Sequence, residues 1–402
     1  MRFEYPAADQ FTVGRNVALL NGFSATRSAL FLLPVLVPYF EHHVGLSFKD
    51  ILLTEAAFAA TMVLAEVPSG WIADQWRRKN VLVLGAVLWA IASLCLWTAD
   101  GFVQVAVGQI LMGLAASLQS GADSALLYDS LLCAHAQSRY LTFESRRHGI
   151  AMAALATASA AAGPIYVWNP DAIFALSLAS YTLSGVCAAL LREPPRQRSH
   201  RGRFDLSAMA TTVLRECRDN RIVLWAVLFA GGLLAATKAS VWTQQAYLLQ
   251  LEIDLIWFGP ITAAAFLLGG AASQFGPGID RALGTRNTLG LLVAGVVCGF
   301  AAGGAVPMPV MIPILFVGIA AFGIADPALK ALVNHRVASD RRATILSLLS
   351  LMPQLTFVAL SPFIGAVVDR SGADTGYLFL AGFAAITAGL GWLGLARALA
   401  RR

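Results

Sequence analysis

Apolar residues in this chain fall into consecutive blocks of roughly 20, and that spacing restricts its possible folds more than any other feature. About 20 residues of helix cross the roughly 30 Å of hydrocarbon in a bilayer. A segment in lipid must satisfy its backbone groups internally, which leaves helices or a closed barrel. Barrel strands alternate apolar and polar residues over about 10 positions. Stretches such as Val81–Trp97 and Met311–Ile324 are apolar on every side, so the chain reads as an all-α membrane protein. Only 13% of its 402 residues are charged, against about 25% in soluble domains, which is too few to clothe a soluble surface.

Turn and charge signals divide the chain into twelve expected transmembrane helices. They cover 15–40, 50–73, 80–99, 102–132, 143–167, 171–191, 221–249, 255–279, 287–306, 309–333, 343–368 and 375–396. The longest polar stretch carries Glu193-Pro194-Pro195-Arg196. It gives three regions: a six-helix bundle at 1–192, a basic linker at 193–220 and a second bundle at 221–402. Basic residues set orientation in membrane proteins. With the linker inside, 24 of the 29 Lys and Arg lie on the cytoplasmic side, and only Lys49 and Arg370 lie opposite. Both termini are therefore expected in the cytoplasm of a multi-pass cell-membrane protein, of bacterial inner-membrane type. The net charge of +6 is explained by this topology and points to no nucleic acid. The five cysteines show no CxxC spacing, and His42-His43 is a poor chelate. No cofactor and no metal are expected.

The halves echo each other. Gly70-Trp-Ile-Ala-Asp74 precedes Arg77-Arg78-Lys79, and 206 residues later Gly276-Pro-Gly-Ile-Asp280 precedes Arg281. Gly365-Ala-Val-Val-Asp369 is a third echo. The first of these, with Gly70, Asp74, Arg78 and Lys79, resembles the GxxxDRxGRR/K loop of the major facilitator superfamily. It departs from that pattern at Gln75 and Arg77, and the copy at Gly276, Asp280 and Arg281 carries an extra residue. The resemblance implies two pseudo-symmetric six-helix bundles, with these residues forming a conformational latch. Without the resemblance, the basic residues serve topology alone. Ser159-Ala-Ala-Ala-Gly163-Pro164 resembles part of an exporter motif, a lean toward export; Gly-Pro is also a common membrane-helix kink.

Charges inside spans are costly unless paired or hydrated. Arg27, Asp123 (near Gln119), Lys238 (before Trp242 and Gln245), and Asp326 with Lys330 fall on spans one, four, seven and ten. In the resembled family those spans line the central cavity. These eight residues are the candidate substrate-binding set, with Asp123 and Asp326 as candidate proton carriers. The bland alternative for Asp326 and Lys330, one turn apart, is that they neutralise each other. Asp129 is expected to anchor a helix end or pair with Arg146, and Glu55 is read as structural.

The function expected is secondary transport of a small organic solute by alternating access, proton-coupled, on a monomer in the bilayer. Arg27 and Lys238 suit an anionic or zwitterionic solute. A multidrug proton antiporter and a non-transporting sensor on the same fold are the alternatives. No Walker-type sequence is present, and no nucleophile cluster suggests an enzyme.

Overall fold

The computed structural model describes residues 10–194, 206–334, 336–338 and 341–400, and every described segment of regular structure is helical. Nine helical segments among them are long and apolar enough to cross a membrane. One of the nine, within the helix Arg342–Ala400, is two helices merged across Gly372, whose φ of +90° is a backbone state that other residues adopt at a cost. The second of these helices starts under a cap from Gln250, whose amide oxygen accepts from the Ala373 N–H at 2.6 Å. The expected spans 343–368 and 375–396 lie on either side of this break. The expected span 50–73 lies within one helix and 15–40 within helical segments interrupted after Arg27; neither is among the nine. The linker expected at 193–220 includes a helix, Leu206–Asp219; residues 195–205 lie outside the described part.

The chain forms two compact units. The first gathers Met1–Leu36, Ala60–Phe204 and Leu255–Ala263. Its helices are α1 (Gln10–Arg27), most of α3 (Phe48–Gln75), α4 (Arg78–Trp97), α5 (Phe102–Gln119), α6 (Ala122–Cys133), α7 (Tyr140–Trp168) and α8 (Pro170–Leu190). A dry core of Leu20, Phe23, Leu82, Leu126, Leu131 and Leu191 joins α1, α4 and α6 to the end of α8. The second unit gathers Val37–Ala59, Asp205–Asp254 and Ala264–Arg402. It holds α2 (Leu36–His43) apart from its first residue, the start of α3, α9 (Leu206–Asp219), α10 (Arg221–Gln250), most of α11 (Phe258–Leu283), α12 (Thr285–Ala305), α13 (Ile312–Leu315), α14 (Val317–Asn334) and α15 (Arg342–Ala400). In α10, 78% of the most apolar stretch is buried, against 33–44% for the other apolar segments, so α10 is the pillar of its unit. The others leave one apolar face open. Trp168 and Phe275 are among the most exposed large side chains, a surface suited to lipid and not to water.

Each unit contains a close backbone approach between segments from opposite halves of the sequence, and the two approaches are related by the internal repeat. In the first unit, a Cβ on Gly259 would lie 2.3 Å from the Ser159 carbonyl oxygen, and one on Gly163 would lie 2.5 Å from the Ile256 oxygen. Backbone meets backbone there. In the second unit, a Cβ on Gly365 would lie 2.6 Å from Lys49 Cα. Asp369 accepts hydrogen bonds from the Phe48 and Lys49 N–H groups at 3.0 and 3.1 Å, capping the start of α3. The 206-residue offset that relates Gly70 to Gly276 also relates Ser159 to Gly365, Gly163 to Asp369 and Lys49 to Leu255.

Candidate functional site

Two helix breaks create the densest group of buried charges. The helical run ends at Arg27, and residues 28–32 turn before the short Pro34-containing segment that leads into α2. In span four, Gly121 adopts φ +73°, ending α5 at Gln119 and restarting the chain as α6 with Asp123 in its first turn. An acid at a helix start and a base at a helix end each complement the helix dipole. Arg27 and Asp123 hold these positions, with Arg27 Nη2 3.9 Å from Asp123 Oδ2.

Arg147 of α7 completes the group. Its Nη1 donates to Asp123 Oδ2 and, at 3.0 Å, to Ser24 Oγ. Its Nη2 donates to Ser124 Oγ at 2.9 Å and to Glu144, and its Nε to Glu144 Oε2 at 3.1 Å. A guanidinium has five N–H donors, and here all five have partners. Asp123, 4% exposed, also accepts from the Ser124 N–H at 2.8 Å. Arg27 differs sharply. Beyond its longer contact with Asp123 it stands only over the Phe23 ring, at 5.7 Å, and 29% of its side chain is exposed. Among the described residues it is the cation of this group with donors to spare.

In the second unit Lys238 of α10 donates to Gln354 Oε1. Its ammonium lies 4.6 Å from the Phe357 ring centre and 6.0 Å from that of Phe58, within cation–π range. The charge of buried Glu55 acts on it as well. One turn along α10, Trp242 is buried, and its indole N–H has no partner among the described residues. Gln245 accepts from the Val37 N–H at 3.0 Å. Asp326 and Lys330 bond each other at 2.8 Å, both partly exposed. Gln119 is fully buried, donating to the Leu82 carbonyl at 3.2 Å against Gly85; its amide ties α5 to α4.

The residues of the latch motif lie in several contacts. Arg78 pairs with Asp129, where the sequence alone suggests Arg146 for that acid. Glu193 accepts from the Arg78 and Lys79 N–H groups at 2.8 and 3.0 Å, capping α4. Gly70 has open space around it, and the Asp74 side chain lies outside the described part. Gly276 packs beside Ile324. Asp280 accepts from Thr285 Oγ1 at 3.1 Å, closing its own turn, and Arg281 Nε donates to the Pro277 carbonyl at 3.2 Å. The partial exporter pattern Ser159–Gly163 supplies the backbone contact with Leu255–Gly259.

Residues 18–357 match the Major Facilitator Superfamily. The chain belongs to the Major Facilitator Superfamily. It is accordingly a membrane transporter rather than an enzyme, and its all-helical architecture is that of the family. Solved structures of the same fold include a mutant form of the nucleoside transporter NupG. That structure has a TM-score of 0.80 at 14% identity, covering 94% of this chain and 99% of that one. A bacterial homolog of the human lysosomal transporter Spinster, inward-facing and unoccupied, has a TM-score of 0.74 at 13% identity and 98% coverage of both chains. A D-xylose–proton symporter has a TM-score of 0.72 at 14% identity and 97% coverage of both. No curated protein matches this chain.

Within this superfamily member, Arg147, Glu144 and Ser24 are site residues that sequence reasoning misses. In the sequence Arg147 counts with the cytoplasmic bases, but only 8% of it is exposed. The available signal is Glu144 three residues before it, on the same helix face, inside an expected span.

Proposed function

We propose that this transporter carries an anionic or zwitterionic organic solute by alternating access, with Arg27 holding the solute's negative group and Asp123 carrying the coupled proton. The observation that supports this reading is the contrast within one group of charges. Arg147 is saturated, while Arg27, beside the same carboxylate, is half satisfied and partly exposed. A charge-assisted hydrogen bond contributes about 1.5–3 kcal/mol, so a solute carboxylate or phosphate competes effectively for a guanidinium whose only acid among the described residues lies 3.9 Å away. Protonation of Asp123 removes that competitor, which links proton uptake to solute binding. Lys238, held by Gln354 and two aromatic rings, is a second cation for the same class of solute.

A panel of radiolabelled dipeptides, nucleosides, sugar phosphates, mono- and dicarboxylates and cationic drugs, offered to proteoliposomes under an imposed pH gradient, tests this reading. Accumulation of a solute bearing a carboxylate or phosphate, lost in Arg27→Gln, is expected. Flux confined to cationic drugs and unaffected by Arg27→Gln would replace it with multidrug antiport. Binding without any flux would make the chain a sensor.

A further inference from the structure

At one end of the second unit an open cavity of about 490 Å³ lies between the start of α10 and the end of α15. Its lining includes Asp219, Asn220, Arg221, Trp225, Gly394 and Arg397. Both arginines are exposed, and neither guanidinium has a hydrogen bond or ion pair among the described residues. Asn220 is already committed, accepting from the Ile222 N–H at 3.2 Å and donating to the Arg336 carbonyl at 3.3 Å. The indole of Trp225 is seated in a notch, since a Cβ on Gly394 would lie 2.1 Å from it. This wall is built to hold an aromatic ring in place.

The cavity sits where two apolar helices reach the edge of the membrane, one starting and one ending. Trp at that depth is typical of the interface between headgroups and hydrocarbon. Two guanidiniums and one carboxylate leave the cavity with a net charge of +1, complementary to a ligand with one negative charge. Arginine matches phosphate oxygens in a two-pronged geometry, and basic pockets between membrane helices are suited to anionic headgroups. Asp219, an acceptor beside the arginines, suits a ligand with hydroxyl donors next to its phosphate.

We propose that this cavity binds the headgroup of an anionic glycerophospholipid of the phosphatidylglycerol type, with its phosphodiester between Arg221 and Arg397, a glycerol hydroxyl on Asp219 and its proximal apolar chain against Trp225. The site is separate from the charges assigned to solute and proton, so it stands whatever the chain transports. Phosphate is the shared chemistry of a lipid headgroup and of free inorganic phosphate, and the test separates them.

Native mass spectrometry of the purified full chain, with phosphatidylglycerol or phosphatidylcholine of the same acyl chains added, reads the occupancy directly. Retention of phosphatidylglycerol several-fold above phosphatidylcholine is expected, reduced several-fold in the Arg221→Gln/Arg397→Gln variant. Arg215→Gln/Arg218→Gln removes the same charge from neighbouring α9 outside the cavity lining, and is expected to leave retention unchanged. Equal retention of both lipids, or no loss in the Arg221/Arg397 variant, would overturn the assignment. An equal loss in the α9 variant would reduce it to general surface charge and overturn it too. Displacement of the lipid by millimolar inorganic phosphate would transfer the site to the free anion and end the lipid assignment.

Discussion

Arg147 and Arg27 share the carboxylate of Asp123, yet the two bases do different work. Arg147 bonds Asp123, Glu144, Ser24 and Ser124 at once. Replacing it with Lys removes the planar fork and leaves buried acceptors unpaired, at a cost of about 3–5 kcal/mol by analogy with broken buried ion pairs. Arg147→Lys is therefore expected to lower the melting temperature strongly in detergent. Arg27→Gln is expected to leave it nearly unchanged while weakening an anionic solute by about tenfold or more, the equivalent of at least about 1.4 kcal/mol. Arg27 and Asp123 stand out in the sequence because each is an isolated charge in an apolar span. Arg147 does not, because Arg146, Arg147 and His148 together look like the basic cytoplasmic end of a helix, and only the fold shows which of them turns inward. Outside the spans, partial burial raises the carboxyl pKa of Glu41; His42 opposes this and the charge of Asp369 adds to it. The folded state then binds this proton more tightly than the unfolded chain does. Stability falls as pH rises from the ordinary value of 4.5 through the raised one. Glu41→Gln is expected to flatten that part of a melting-temperature–pH profile.

Helix breaks and backbone contacts do at the scale of elements what the charges do at the scale of residues. Gly121 takes φ +73°, and a side chain there costs about 1–2 kcal/mol, so Gly121→Ala is expected to lower stability and to loosen Asp123 along with it. The break itself is not legible in the sequence. Span four reads as one continuous helix, and nothing in the sequence separates Gly121 from Gly108 and Gly113, the other glycines of the span. The echo Gly365–Asp369 is legible as a pattern, but its role is not, because its partners Phe48 and Lys49 lie more than 300 residues away. Asp369→Asn weakens this cap, which as a helix N-cap contributes about 0.5–2 kcal/mol. Faster amide hydrogen exchange at Phe48–Leu52, with α10 unchanged, is the expected result. Exchange identical to wild type would show that the cap holds nothing closed.

At the scale of the whole molecule, the repeated apolar blocks and the paired GxxxD segments make the family legible in the chain itself, since both are periodic features of it. The positive-inside count is what supports cytoplasmic termini. The exchange of segments between the halves is not legible, because each compact unit takes one segment from beyond the linker and neither segment differs in composition from its neighbours. The two contacts related by the 206-residue offset give alternating access a physical handle. Both join segments from opposite halves of the sequence, and both are expected to separate during the cycle. Gly259→Val, which places a branched side chain against the Ser159 carbonyl, is expected to destabilise the observed state by about 1–3 kcal/mol. A thiol probe at the buried Ser159 position, read as labelling rate, measures the resulting opening. The proposed role of Arg27 as the solute's anchor is tested by gradient-driven accumulation of a carboxylate- or phosphate-bearing solute in proteoliposomes. Robust accumulation by the wild type is expected, with a loss of about tenfold or more in Arg27→Gln at unchanged melting temperature; undiminished accumulation in that variant would rule out Arg27 as the anchor.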